Sequence, residues 1–221
     1  MSYNDSHATI LVVEPQPVMR LGVLWMLDRE PGFEVIGQDG DTNSALSVAK
    51  STQPNLILTE LRWPSGTGVH FLGQLCQQCP HAAVVVLTAL DESVYAERAL
   101  AAGARGFFVK HEEPGHLLNG LRDILAGKIV VSDSVAQSLV TSLTASDVLG
   151  GEAAIAGLSN RELQVFEMIG QGWSTVEMAQ QLGLSVKTVE THRSNLKQKL
   201  NIENASRLSR FAMKWSLSYA G

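Results

Sequence analysis

The first 126 residues alternate between short, continuously apolar runs and longer segments in which apolar residues recur with helical spacing. The apolar runs predict five strands, at residues 8–14, 33–38, 55–60, 82–89 and 106–110. The periodic segments predict five helices, at residues 17–27, 43–52, 69–78, 92–102 and 114–126. Val18, Leu21 and Trp25 lie on one face of the first helix. Strands that are apolar throughout are typical of a parallel sheet covered on both faces. The pattern predicts a doubly wound α/β domain with a five-stranded parallel sheet, whose functional crevice lies at the carboxyl ends of the strands.

The last 64 residues show helical periodicity only. Ser159 and Ser174 each stand three residues before a glutamate, which is the spacing of a capping box at a helix start. Gly172 and Gly183 follow the first two helical segments, and Ser185 suits the start of a third. With a further helical segment behind them, these signals predict an all-α domain of four helices.

The stretch between these regions is rich in Ser, Thr, Ala and Gly. Its composition predicts a linker, although its first part is compatible with a helix. We therefore expect an N-terminal domain at residues 1–128, a linker at 129–156 and a C-terminal domain at 157–221.

Charge is unevenly distributed along the chain. The net charge is −5, but residues 1–140 contain 9 Lys+Arg against 15 Asp+Glu, whereas residues 158–221 contain 8 against 5. The C-terminal domain is therefore the better candidate for binding a polyanion.

Neither a membrane segment nor a metal site is evident from the sequence. No stretch approaches the ~20 apolar residues of a membrane span, and the N-terminus has neither a basic leader nor an apolar signal core. The two cysteines, Cys76 and Cys79, have only His70 and His81 nearby, and this spacing is weak evidence for a zinc or redox site. We expect a cytoplasmic protein with no membrane partner, no metal site and no cofactor.

The third C-terminal helix has two contrasting faces. Val189, His192, Leu196 and Leu200 form a narrow inward stripe, so His192 is expected to be a packed core residue. The opposite face has short polar side chains at its centre and cations around them. A solvated helix face has this pattern, but so does a helix in the DNA major groove, where the centre reads base edges and the rim holds phosphates. The short helix and glycine turn before it match a helix-turn-helix, which favours DNA binding.

Residues 158–208 resemble the DNA-binding domain of LuxR-type regulators. The matching motifs are L-S-x-R-E at 158–162, G-x-S-x-x-E-x-A at 172–179 and L-x-L-S-x-K-T-V-x-x-H-R-x-N-x-x-x-K-L at 182–200. The resemblance implies that Glu190, Thr191 and Ser194 read bases. It also implies a set of residues that hold the DNA backbone, namely Lys187, Thr188, Arg193, Asn195, Lys197 and Lys199.

The fourth C-terminal helix resembles the dimerisation helix of the same family. Its apolar residues Leu208, Ala212 and Trp215 recur with helical spacing. A dimer would place two recognition helices on half-sites about one helical turn apart.

The N-terminal domain resembles the receiver domain of NarL/FixJ-family response regulators, from about residue 9 to residue 131. Thr88 and Lys110, at the ends of the fourth and fifth strands, match the family, as does Phe107, where the family places a switch aromatic. In an active receiver, two acids after the first strand hold Mg²⁺ and an aspartate after the third accepts a phosphoryl group. That reaction depends on the metal geometry and on in-line positioning.

Two positions of this pocket depart from the family. Pro15 follows Glu14, so the second carboxylate of the acidic pair is missing, and Glu60 stands at the acceptor position in place of aspartate. Glutamate moves the carboxylate by about 1.5 Å in a geometry where ~1 Å can cost a hundredfold in rate, so we expect no phosphorylation. Two interpretations remain open. Either Glu60 reaches Lys110 and stands in for the phosphorylated aspartate, or the pocket is inert and the domain is a platform for dimerisation or partner docking.

These patterns predict a sequence-specific transcriptional regulator, not an enzyme, that binds promoter DNA as a homodimer and independently of phosphorylation. RNA polymerase or another regulator is a further candidate partner. One alternative is an adaptor or anti-activator with secondary DNA binding. The other is a conventional response regulator that is phosphorylated.

Overall fold

A computed structural model describes residues 7–63, 66–142 and 151–218. The strands are Ala8–Val13 (β1), Phe33–Asp39 (β2), Leu56–Thr59 (β3), Arg62–Trp63 (β4), Gly66–Thr67 (β5), Ala83–Thr88 (β6) and Gly106–Val109 (β7). The helices among and just after these strands are Pro17–Asp28 (α1), Thr42–Thr52 (α2), Val69–Gln78 (α3), Glu92–Ala101 (α4) and Pro114–Leu125 (α5). The helices that follow are Asp133–Ser142 (α6), Gly151–Ala156 (α7), Asn160–Gly170 (α8), Thr175–Leu182 (α9), Val186–Lys199 (α10) and Ala205–Ser218 (α11).

The N-terminal domain is built on a parallel five-stranded sheet in the order β2-β1-β3-β6-β7. Side chains from β1 point alternately into two apolar layers, with Leu11 and Val13 in one layer and Ile10 and Val12 in the other. Because helices cover both faces, Ile10 to Val13 are all buried, which explains the absence of polar alternation over these positions. The predicted doubly wound α/β domain is confirmed.

The segment predicted as a linker is docked onto this domain over its first part. Val130 forms a parallel bridge with Gly106, and its carbonyl accepts a hydrogen bond of 3.1 Å from the Phe107 amide. Further along, Val135 of α6 is buried in the core, and α6 contacts α4. Residues 129–142 are therefore not a free connector, because the Val130 backbone pairs with the sheet edge and α6 packs against α4. Gly151–Ala156, also within the predicted linker, forms α7, whereas residues 143–150 lie outside the described residues.

The apolar face predicted on the first helix lies at the surface of the domain. Val18, Leu21 and Trp25 are 84%, 64% and 65% exposed. Helix α1 packs on the sheet through the neighbouring face, where Val23 and Leu27 are buried. Helix α1 therefore faces the core with Val23 and Leu27, which are spaced i, i+4, and not with the predicted stripe.

The C-terminal domain contains helices α8 to α11. Both predicted capping boxes form, at Ser159 and at Ser174, and Gly183 ends α9 in the left-handed conformation. A methyl group on Gly170 would lie only 2.6 Å from the carbonyl oxygen of Ala212, so this glycine permits the close approach of α8 and α11. The predicted four-helix domain is confirmed. Among the described residues, no helix combines the length and apolar character needed to cross a bilayer.

Candidate nucleic-acid interface and receiver pocket

Helix α10 is held in place by a cap and an apolar stripe. The Ser185 hydroxyl accepts a hydrogen bond from the Thr188 amide at the helix start. Val189 and Leu196 are fully buried and pack the helix on its own domain. His192 is packed inward as predicted, but its buried Nδ1 has no hydrogen-bond partner among the described residues. The inward stripe thus fixes which face of α10 is left for solvent.

The opposite face of α10 is accessible. Lys187, Glu190, Thr191 and Ser194 are all exposed. The main contacts of α10 are with α8, α9 and α11 of its own domain. The predicted base-facing residues therefore lie together on a surface that the main packing of the described chain leaves open.

Two residues of the predicted backbone-holding set form contacts inside the domain. The Lys199 ammonium lies 2.7 Å from a carboxylate oxygen of Glu162, which also accepts a hydrogen bond from the Ser159 amide. The Thr188 hydroxyl is 2.7 Å from that of Ser185. Arg193, Asn195 and Lys197 are half-buried. Sequence reasoning missed the Lys199 contact because 37 residues separate the two partners.

The Lys199 contact shifts the titration of its partner. Burial acts to raise the pKa of Glu162, but hydrogen bonds from Lys199 and Ser159 outweigh it and hold the pKa below its usual value. The carboxylate therefore stabilises the fold above its unfolded-state pKa of about 4.3, and this contribution is lost as the pH falls through the folded-state value.

Replacing Lys199 with methionine is expected to lower the free energy of unfolding by at most about 1 kcal/mol, because the ammonium is partly solvated. Urea unfolding at neutral pH and at progressively lower pH should show that this difference shrinks as the pH falls below the lowered pKa of Glu162. Lys187→Met is the matched control, since it should leave stability unchanged and reduce the salt slope of DNA binding by about 1. If Lys199→Met lost as much DNA affinity as Lys187→Met, the interpretation that Lys199 acts inside the domain and not on DNA would be contradicted.

The residues predicted on the dimerisation helix lie in the core of the domain. Leu208, Ala212 and Trp215 are buried, and the Trp215 ring contacts Phe166 of α8 with centroids 5.4 Å apart. The exposed face of α11 carries other apolar residues, among them Met213 at 49% exposure. A partner that docks on α11 would meet that face, because the predicted stripe is already used by α8.

The receiver pocket is closed by an internal network of charges. The Lys110 ammonium lies 2.7 Å from a carboxylate oxygen of Glu14 and 2.7 Å from one of Glu60. The other Glu60 oxygen accepts hydrogen bonds from the amides of Leu61 at 2.6 Å and Arg62 at 2.9 Å. Glu14 and Glu60 are only 4% and 3% exposed. Parallel strands bring these side chains together, as the sequence predicts for the carboxyl ends of β1, β3 and β7.

The remaining pocket residues are in place but differently engaged. Thr88 is buried, and its hydroxyl accepts a hydrogen bond from the Leu90 amide at 3.2 Å. Phe107 is also buried, at the position of β7 that pairs with Val86. Pro15 offers no oxygen ligand from its side chain, and the Lys110 ammonium contacts both carboxylates. The residues present therefore do not fit the magnesium ion that active receivers use.

A short antiparallel pair of strands follows Glu60 and reaches the other domain. The Trp63 indole donates a hydrogen bond to the Glu60 carbonyl at 3.0 Å and packs edge-on against Phe71, with ring centroids 5.6 Å apart. Strand β4, which contains Trp63, pairs with β5, and β5 contacts α8. The segment after the acceptor position thus forms part of the interface between the domains.

Helix α4 supplies the other side of this interface. The buried Tyr95 hydroxyl donates to a carboxylate oxygen of Glu167 in α8. Burial, reinforced by the Glu167 charge, raises the pKa of Tyr95 well above its usual value. Arg98 donates to the carbonyls of Ala156 and Leu158, each at 2.6 Å. The receiver domain is therefore joined to the C-terminal domain at α7 and α8, away from the exposed face of α10.

The cysteines show no sign of special reactivity. Cys79 is buried, and burial raises the pKa of the Cys76 thiol to about 11, so the thiolate is scarce at neutral pH. Within the described ranges, no group of three or more His, Cys, Asp or Glu side chains is arranged to hold a metal ion.

Comparison with known proteins agrees with both domains. Residues 10–122 match the family described as response regulator receiver domain, and residues 156–212 match the bacterial regulatory proteins of the luxR family. The chain is 32% identical to the transcription regulator BvgA of Bordetella pertussis, over 95% of this chain and 98% of BvgA. It is 28% identical to the nitrate/nitrite response regulator NarL of Escherichia coli K12, over 91% and 93% of the two chains.

A solved structure has the same fold. RcsB from Salmonella enterica serovar Typhimurium, bound to the promoter rprA in the presence of the phosphomimetic BeF3−, aligns over 94% of this chain and 98% of its own with a TM-score of 0.73. The sequence identity is 21%, so this likeness concerns the fold alone. With both domains matched and BvgA similar over nearly the whole length, the chain belongs to the NarL/FixJ family of DNA-binding transcriptional response regulators with a LuxR-type output domain.

Proposed function

We propose that this protein binds promoter DNA as a homodimer in its unmodified state, without phosphorylation of the receiver. The observation that carries the proposal is the Lys110 ammonium, which pairs with both Glu14 and Glu60. These contacts engage the group that would bind an incoming phosphoryl oxygen.

The geometry of Glu60 argues against phosphoryl transfer. One of its oxygens accepts from two backbone amides and the other pairs with Lys110. A nucleophile for in-line transfer needs an oxygen free to attack and a metal to neutralise the donor. Both Glu60 oxygens are engaged, and the residues around them do not fit the metal, so the carboxylate acts as a structural acceptor at the end of β3.

The hydroxyl of Thr88 helps to separate the two interpretations of the pocket. A carboxylate that imitates a phosphorylated aspartate should engage both the lysine and the hydroxyl residue of the pocket. Here the Thr88 hydroxyl accepts from Leu90 while Glu60 is held by Lys110 and the backbone. Glutamate also carries a single charge, where a phosphate carries nearly two. These contacts favour a fixed pocket that does not switch.

The position of α10 supports DNA binding by the unmodified chain. The interface between domains uses α7 and α8, so the exposed residues Lys187, Thr191 and Ser194 need no release from the receiver. RcsB, which has this fold, is known as dimers bound to DNA, which supports a dimer here. RNA polymerase is the expected further partner at a promoter.

An adaptor or anti-activator is the second candidate function. The exposed apolar face of Val18, Leu21 and Trp25 favours it, since exposed apolar surface often marks a protein contact. Sequence-selective DNA binding by the purified chain separates the two functions.

The unmodified protein is expected to select DNA sequences from a random duplex library, with affinity that falls steeply as salt rises. Acetyl phosphate with Mg²⁺ should leave the affinity unchanged and add no phosphoryl group to the intact mass. The control is the double variant Glu60→Asp with Pro15→Asp, which restores the residues of active receivers and should make binding respond to the phosphodonor. A phosphoryl adduct on the natural chain that disappears in Glu60→Gln would refute phosphorylation independence.

A further inference from the structure

The only carboxylate on helix α10 is held by a residue of the preceding helix. Thr175, the first residue of α9, donates its hydroxyl to Oε1 of Glu190 at 3.1 Å. Glu190 is exposed, in a helix that also carries Lys187, Arg193 and Lys197. The contact therefore joins the two helices of the helix-turn-helix on their outer surface and not in their core.

This contact orients the side chain of Glu190. A free glutamate samples many rotamers, and ordering them on binding costs free energy. The Thr175 hydroxyl, at the positive end of the α9 dipole, restricts the carboxylate before any ligand arrives. Oε2 has no hydrogen-bond partner in the part of the chain that the structure describes. One oxygen is thus anchored while the other is available for a donor.

The chemistry of the major groove limits what that oxygen can accept from. An ionised carboxylate only accepts hydrogen bonds. Cytosine presents its N4 amine, whereas adenine presents an amine beside the N7 acceptor, and guanine and thymine present acceptors. Phosphates repel the charge. A cytosine amine is therefore the base group best suited to donate a hydrogen bond to a carboxylate in this groove.

We propose that Glu190 selects a cytosine in each half-site and that Thr175 is the positioning residue that holds its carboxylate for this contact. The inference rests on the proposed DNA-binding function and names the base chemistry of that interface. Glu190 also lowers the affinity for other sequences. When no base amine is present, its negative charge has no hydrogen-bond donor in the groove. The contact is exposed and contributes little to folding, so removing it should leave the domain intact.

The test uses the full-length chain and duplexes selected from a random library by the natural protein. Affinities are measured for the selected duplex and for duplexes with each base pair replaced in turn. The natural protein should lose about tenfold in affinity when one particular cytosine per half-site is replaced. Glu190→Gln should reduce that discrimination to less than about threefold, while its affinity for unselected DNA stays equal or rises.

Thr175 is tested with a pair of variants. Thr175→Val keeps the shape but removes the donor and should lose part of the cytosine discrimination, whereas Thr175→Ser keeps the hydroxyl and should restore it. The salt slope should be the same in both, because the number of phosphate contacts is unchanged. Thermal unfolding should be unaltered, which separates positioning from a structural role.

The possible failures are distinguishable. If the natural protein selects a sequence but Glu190→Gln changes the preference at no position, the cytosine contact is wrong and the proposed function stands. If Thr175→Val discriminates as well as the natural protein, the positioning role is wrong. If the natural protein selects no sequence at any salt concentration, the proposed function itself fails.

Discussion

Replacing Lys110 with methionine is expected to lower the free energy of unfolding by about 3–5 kcal/mol, the usual cost of removing one partner from a buried ion pair. The ammonium is shared by Glu14 and Glu60, both almost completely buried. Without it, two carboxylates of like charge face each other out of contact with water. Urea unfolding at neutral pH, followed by circular dichroism, measures the loss.

The matched control combines Lys110→Met with the removal of one of the two carboxylate charges. Glu60→Gln combined with Lys110→Met leaves a single buried carboxylate, so the double variant should recover part of the lost stability. Because the neutral amide oxygen can still accept from the Leu61 and Arg62 amides, the loop should keep its shape. A cost below about 1 kcal/mol for Lys110→Met alone, typical of an exposed pair, would show that the pocket is open to water and that the proposed closed network is wrong.

Replacing Tyr95 with phenylalanine is expected to cost about 1–3 kcal/mol, because the hydroxyl donates to a buried carboxylate. The contact joins α4 to α8, so its loss should loosen the coupling between the domains as well as lower stability. Calorimetry should show the unfolding of the two domains less closely coupled than in the natural protein. A double-mutant cycle with Glu167→Gln isolates the pairwise contribution, and additive effects of the two substitutions would refute the contact.

Tyr95 also predicts a dependence on alkaline pH. Its pKa is raised in the folded chain, so the neutral phenol stabilises the fold below the unfolded-state pKa of about 10. Above that pH the unfolded chain ionises first, and the contribution is lost as pH rises toward the folded-state value. The melting temperature of the natural protein should therefore fall more steeply above pH ~10 than that of Tyr95→Phe.

The parallel sheet and the position of Glu60 opposite Lys110 were predictable, because apolar strands and the βα order determine which residues meet at the carboxyl ends. The direction of the Thr88 hydroxyl could not be predicted from the sequence, because it depends on the side-chain rotamer and on the position of the Leu90 amide. The pairing of Lys199 with Glu162 could not be predicted either, because the family pattern gives Lys199 a DNA-backbone role and Glu162 a role in the capping box.

Amphipathic stripes were identified more reliably than the surfaces against which they pack. Leu208, Ala212 and Trp215 form a stripe that suits a dimer or a core equally, and the structure uses it for the core. The stripe of Val18, Leu21 and Trp25 has the opposite outcome and stays at the surface. Periodicity identifies an apolar face, but the partner of that face is decided by tertiary packing.

The bridge between Val130 and Gly106 has a practical consequence for dividing the chain into fragments. Beside β7, Val130 covers an edge whose amides and carbonyls would otherwise be open to another strand. A receiver fragment cut at residue 128 would expose that edge, and open edges are templates for aggregation. A fragment extended through α6 would keep both the bridge and the buried Val135, and is therefore the appropriate unit for studying the receiver alone.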